Sequence, residues 1–273
     1  MARWSISQLR KFVDIQKGLG KLGEQSISFL EHAGGISLFF WHTLTTALRT
    51  RFRWSATLEH CYRIGVESLP LIILTSLFTG MVLALQSAYQ LKLFSAEQFI
   101  CDLVALSVTR ELGPVLTAMM IAGRVGASMA AELGTMKVTE QIDALKSLGT
   151  DPLHYLVVPR FFATIAMVFV LTLYSDLIGI LGGYLVGVLK LGLSSYMYIH
   201  RTTQALALKD IYTGLIKAFV FGIVISTVSC YFGFRTRGGA EGVGRATTMA
   251  VVVSFISIIV FDTFFTAVFY FVF

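Results

Sequence analysis

From residue 161 to residue 189 the chain carries a single charged side chain, Asp176. At about 1.5 Å per residue a helix of that stretch measures roughly 43 Å, more than the roughly 30 Å hydrocarbon core of a bilayer. Cut in two, each half of roughly 14 residues falls short of a span. The stretch therefore predicts one long helix, tilted or broken. It begins near Leu153, where Asp151-Pro152 supplies an N-cap and a proline for the first helical position. Four further apolar tracts cover 64–86, 99–122, 211–232 and 247–273. A soluble core does not absorb five such helices. Charged residues are 14% of the chain, against about 25% in an ordinary soluble domain. The expected fold is all-α and polytopic, with about five transmembrane helices.

Residues 1–56 read as a separate N-terminal segment, and 57–273 as the membrane domain. Trp4, Ile6, Leu9, Phe12, Val13 and Ile15 recur at helical spacing among basic residues, the pattern of an interfacial amphipathic helix. The apolar stretch 36–48 is too short to span and is expected to be re-entrant or interfacial. The formal net charge is +6. No basic stripe with interleaved aromatics lies outside the N-terminal segment, which argues against nucleic acid as a partner. Lys and Arg number sixteen in 1–63, 123–160 and 234–246, against four on the other side of the expected spans. The positive-inside rule then places the N-terminus and the 123–152 segment in the cytoplasm.

The sequence has no GxxxxGK[ST] motif, no HExxH and no CxxC, and its five histidines have no metal-ligand spacing. No catalytic residue and no metal ligand is expected, and the chain reads as a non-catalytic subunit with no cofactor of its own. The informative residues are ionisable groups at membrane depth: Arg110, Glu111, Asp176, Lys217 and Asp262. Each costs about 2.5–3.5 kcal/mol at a lipid-facing helix centre, so each should face the bundle interior, a water-filled cavity or another charge. A buried ion-pair network, such as Arg110 with Asp262 or Glu111 with Lys217, and a polar cavity lining for an amphipathic substrate both fit. So does a proton relay.

Small residues recur every four positions at Ala118, Ala122, Gly126, Ala130 and Gly134, and again at Gly179, Gly183 and Gly187. Such faces let helix backbones approach, within one chain or across a dimer seam. Between the second and third spans, Glu140, Gln141, Ile142, Asp143, Leu145, Lys146 and Leu148 form a short amphipathic helix. Ile142, Leu145 and Leu148 make its apolar stripe, and Gly149 can end it. A soluble partner's groove accepts a helix of this kind, and Leu145 is the natural residue to disrupt.

At these residues the sequence resembles a known family. TRELGPVLTAMMIAGRVGASMAAELGTMKVTEQIDALKSLGTDPLHYLVVPR (109–160) and GAEGVGRATTMAVV (239–252) look like the signature blocks of the MlaE/YrbE family, permease subunits of ABC systems that work with MCE-domain proteins. The likeness covers about residues 60–273. It departs at Met249, where the family usually has a basic residue. The resemblance implies a homodimeric permease of five spans per subunit in a bacterial inner membrane, with an MlaE-type domain over 57–273. It implies two ATPase subunits, which bind ATP and Mg, docked on the cytoplasmic side at the 140–148 coupling helix. It further implies a hexameric MCE-domain protein on the outer face, in some systems a STAS-domain protein, and phospholipid as the substrate. Carried onto this chain, Glu111, Lys217 and Asp262 are candidates to line the lipid cavity. An ion-coupled secondary transporter using the intramembrane acids is the alternative.

Overall fold

The computed structural model describes residue 27, residues 30–50 and residues 52–272. The amphipathic helix expected around Trp4–Ile15 lies outside the described residues. Among those described, the chain forms eight helices and no strand: α1 (30–49), α2 (Trp54–Lys92), α3 (100–138), α4 (Gln141–Ser147), α5 (Leu153–Leu189), α6 (Ser195–Ala205), α7 (Leu208–Phe234) and α8 (Gly239–Val272). Four of them, α2, α5, α7 and α8, are long and apolar enough to cross a membrane. The fifth expected span, 99–122, is the first half of α3, which runs on without a loop to residue 138. The polar segment expected from 123 to 152 is therefore mostly helix. It holds the end of α3, a two-residue turn and α4.

Proline writes itself into the long helices. Pro114 in α3 has no N–H for the carbonyl of Arg110, and the chain answers with a π-turn at Val108–Leu112, in which Gly113 N–H reaches Val108 O. Pro159 in α5 is preceded by a second, at Leu153–Val157. There the carbonyl of Tyr155, four residues before the proline, accepts a hydrogen bond from Arg53 Nη1 at 3.3 Å instead, while the Arg53 guanidinium lies 4.0 Å over the Tyr155 ring. Asp151 caps the start of α5 by accepting from Leu153 N–H at 2.9 Å, as the sequence predicts. A third π-turn, Ala122–Gly126, interrupts α3 without a proline.

α5 and α7 are the centre of the bundle. Their most apolar stretches are 67% and 72% buried, against 28% for α2 and 11% for α8, whose outer faces need lipid or another protein. Ile72, Ile121, Leu171, Phe221, Ile225 and Ile258 form the core where α2, α3, α5, α7 and α8 meet. The glycines serve packing within this chain. A Cβ on Gly179 would lie 2.9 Å from Val108, on Gly183 2.6 Å from Val104, on Gly187 2.6 Å from Tyr198 and on Gly126 2.8 Å from Ser229 Oγ. Gly80 and Gly182 press the α2 and α5 backbones directly together, and the hydroxyls of Ser76 and Ser175 bond across the same seam at 2.7 Å.

α1 lays one face on α7 and α5 through Phe39 against Tyr231 and Phe40 against Phe161, leaving Leu38, Trp41 and Leu48 exposed. α4 closes one end of the bundle, and α6 the other. Tyr198 of α6 fills the space left by Gly183 and Gly187.

Candidate functional site

The candidate site lies toward the α6 end and is built on Lys217. This residue sits in the third turn of α7 with its side chain 1% exposed. Its Nζ donates to Glu111 Oε2 of α3 at 2.5 Å and to Thr266 Oγ1 of α8 at 2.8 Å. Asp262 Oδ1 of α8 stands 2.9 Å away in ion-pair contact, without the alignment of a hydrogen bond. Thr266 in turn donates to Glu111 at 3.1 Å. One ammonium thus holds two carboxylates on two other helices, and the cluster carries one surplus negative charge.

One residue earlier on α3, Arg110 turns toward the rim. Its Nε and Nη2 donate to Asp210 Oδ1 at 2.9 and 2.5 Å. The other oxygen, Asp210 Oδ2, accepts from Ala207 N–H at 2.9 Å and so caps the start of α7. Arg110 and Glu111 both belong to the π-turn that Pro114 imposes, and the wider turn presents these two successive side chains to different partners. The two clusters, apart from Asp262 behind them, floor a cavity of about 510 Å³, with Thr213 and Lys209 on its wall and Phe269 and Tyr270 at its edge. Cations, carboxylates and aromatic rings at one opening suit an amphipathic ligand with an ionic head.

Of the five ionisable residues singled out in the sequence, four meet here. The expected pair of Glu111 with Lys217 forms. Arg110 does not pair with Asp262: Asp210 takes it, and Asp262 joins Lys217 instead. Asp176 is not part of the cavity. It is buried against the α3 backbone at Gly113, its Oδ1 without a hydrogen-bond partner. Two members of these clusters were not foreseen. Asp210 and Thr266 take their roles from tertiary neighbours. Asp210 did carry a signal, as an acid in the first turn of an apolar helix, where carboxylates commonly bond the N-cap backbone.

At the opposite end, α4 runs from Gln141 to Ser147, with Glu140 in the left-handed region before it and Gly149 at φ +72° after it. Gly149 N–H bonds Lys146 O and Thr150 N–H bonds Leu145 O, a complete glycine-terminated C-cap. Ile142 is fully buried against Leu133, Leu156 and Cys230, and Leu145 is partly buried beside it. Leu148 is 79% exposed. The expected apolar stripe is thus divided: its first two residues fasten α4 to the bundle, and only Leu148 is offered outward. Lys137 and Lys146 both bond Asp143 and hold its carboxyl below the usual carboxylate range.

Apolar helices around a charged cavity at one end and an amphipathic cap at the other define a polytopic membrane protein. The sequence matches the family described as Permease MlaE over residues 57–268. It is 48% identical to a probable ABC transporter permease protein of Rickettsia conorii, over 91% of this chain and 96% of the relative. It is 36% identical to the intermembrane phospholipid transport system permease protein MlaE of Haemophilus influenzae, over 92% and 96%. It is 40% identical to the chloroplastic protein trigalactosyldiacylglycerol 1 of Arabidopsis thaliana, over 79% of this chain and 61% of that protein. The chain belongs to the MlaE permease family.

Proposed function

We propose that this chain is the permease subunit of an ABC transporter that moves phospholipid between a bacterial inner membrane and a periplasmic path of MCE-domain protein, serving outer-membrane lipid asymmetry or lipid supply. The observation that carries the reading is the charged floor of the cavity below an aromatic edge. The lipid phosphate engages Arg110, whose side chain is half exposed at the rim, and Lys209 on the wall, while the acyl chains lie along Phe269, Tyr270 and the exposed apolar face of α8. That volume suits a headgroup and not a whole two-chain lipid. The rest of the lipid therefore extends beyond one protomer, which fits a homodimer with the cavity at its centre.

The chain carries no phosphate-binding loop, so the energy comes from separate ATPase subunits holding ATP and Mg. They dock on α4 on the cytoplasmic side, where the N-terminus also lies, through Leu148 and the charges around it. An MCE hexamer receives lipid at the α6 end, and a STAS-domain protein sits on the ATPase in the systems that have one. Lipid names on the Haemophilus relative and its high coverage support the substrate class.

The test is lipid transfer between proteoliposomes holding the assembled complex and acceptor MCE protein. Transfer should need ATP, persist when proton and sodium gradients are collapsed, and fall at least about tenfold with Glu111→Gln. Transfer that follows an ion gradient and ignores ATP would overturn the proposal in favour of an ion-coupled transporter.

A further inference from the structure

At the α4 end, between α2, α3 and α5, lies a second and smaller cavity of about 180 Å³. Three guanidiniums face it, from Arg63, Arg124 and Arg160, against two carboxylates, from Glu67 and Glu132. Arg63 and Arg160 both bond Glu132, each at 3.1 Å. Arg124 bonds Glu67 Oε2 and Ser68 Oγ, each at 2.6 Å. One positive charge is left without a counterion inside a partly enclosed space. His60, also on the wall, supplies no negative charge.

Arg160 adds a second, independent observation. Its side chain is 9% exposed, with Nη1 donating to Leu156 O at 2.9 Å and Nη2 to Glu132. Its Nε–H is buried and has no acceptor. A charged donor left in that state is unfavourable. A bound oxyanion would offset the charge surplus and add an acceptor beside the buried Arg160 guanidinium.

We propose that this cavity is a binding site for a phosphate monoanion, of the kind a phospholipid headgroup presents. The size fits: about 180 Å³ takes a phosphate group but no acyl chain, so the apolar part of such a ligand stays outside. Tyr62, next to Arg63, and Val66, one turn further along α2, are 61% and 47% exposed and offer apolar surface for it. Basic pockets between membrane helices near the headgroup level are a recognised way to hold anionic lipid. The site needs only that the helices sit in a bilayer, and stands apart from the transport reading of the Lys217 cavity.

The experiment is thermal unfolding of the full chain in phosphate-free detergent, titrated in turn with phosphatidylglycerol, diacylglycerol and inorganic phosphate. Phosphatidylglycerol should raise the midpoint saturably and diacylglycerol should not. Inorganic phosphate at equal potency would keep the site and move its ligand from the bilayer to water. Arg63→Gln and Arg124→Gln should each raise the half-saturating concentration about tenfold, the loss of one charge-assisted contact. Arg63 is half exposed, so its variant should fold even if the Arg124 variant does not. Leu148→Glu, at an exposed position outside both cavities, should leave the titration unchanged. No saturable shift, or a shift kept unchanged with Arg63→Gln, overturns the proposal.

Discussion

The two charged regions of this bundle use the same residue types to opposite effect. Toward the α6 end one buried ammonium, Lys217, holds Glu111 and Asp262, and anions outnumber cations. Toward the α4 end three guanidiniums share Glu67 and Glu132, and cations outnumber anions. The first cluster ties α3, α7 and α8 through one atom. The second spreads over α2, α3 and α5 and is partly open to solvent. Removing the centre of the first strands two carboxylates at once. Removing a member of the second leaves its partner another cation or water.

That contrast ranks the mutations. Lys217→Met should cost the most, about 3–5 kcal/mol, because uncompensated charge remains buried. Thermal unfolding in detergent reads it, and adding Glu111→Gln and Asp262→Asn to the same chain should recover much of the loss while lipid transfer stays absent. A loss below about 1 kcal/mol would mean that the cluster is well hydrated. Next comes Arg160→Met, at about 1–3 kcal/mol, since Glu132 keeps Arg63.

The acid limb of stability sharpens that second case. Glu132 lies on α3 beyond the expected span. Burial acts to raise its pKa, but the Arg160 hydrogen bond and the Arg160 and Arg63 charges outweigh it and hold the carboxyl below the ordinary glutamate range. A carboxylate depressed on folding contributes stability above its unfolded pKa and loses it as pH falls through the folded one. In Arg160→Met the acid loss should begin at higher pH than in the parent chain. An unchanged acid limb would show that Arg160 does not set this titration.

Two changes should leave stability nearly untouched. Arg63→Gln breaks a half-exposed pair and should shift unfolding by less than about 1 kcal/mol. Leu148→Glu removes no buried contact, so the midpoint should stay put while lipid-stimulated ATP hydrolysis by the assembled complex falls. Leu145, partly buried in the α4 anchor, is a poorer choice, because its replacement would loosen α4 itself. A destabilised Leu148→Glu chain would mean that this residue is packed, contrary to its exposure.

The sequence made the membrane helices legible because hydropathy and length are local properties. It also announced both ends of the turn before α5, through Gly149 and Asp151, and the Lys217–Glu111 pair, since buried opposite charges seek each other. It hid what depends on tertiary return. The continuation of α3 to residue 138 was obscured by Arg124, Glu132 and Lys137, which look like loop charges until α2 and α5 supply their partners or α4 does. Arg110 found Asp210 because the α6–α7 connection brings that acid back to the rim. Asp176 marked a deep position correctly, yet packing against Gly113 removed it from the cavity. Periodicity says that a face is buried; it does not say against which neighbour.

The seam between α2 and α5 sets a kinematic limit. At Gly80, Gly179 and Gly182 the two backbones touch with no side chain between them, and Ser76 and Ser175 are bonded across the crossing. Rods so closely meshed do not slide past one another by small steps; they travel together as one plank. A change of shape in a working cycle is then expected outside this seam, where α8 is thinly covered and is held to α7 and α3 at the Lys217 cluster. Cysteines at 76 and 175, oxidised to a crosslink, should leave the cycle running, whereas a staple between α7 and α8 should arrest it.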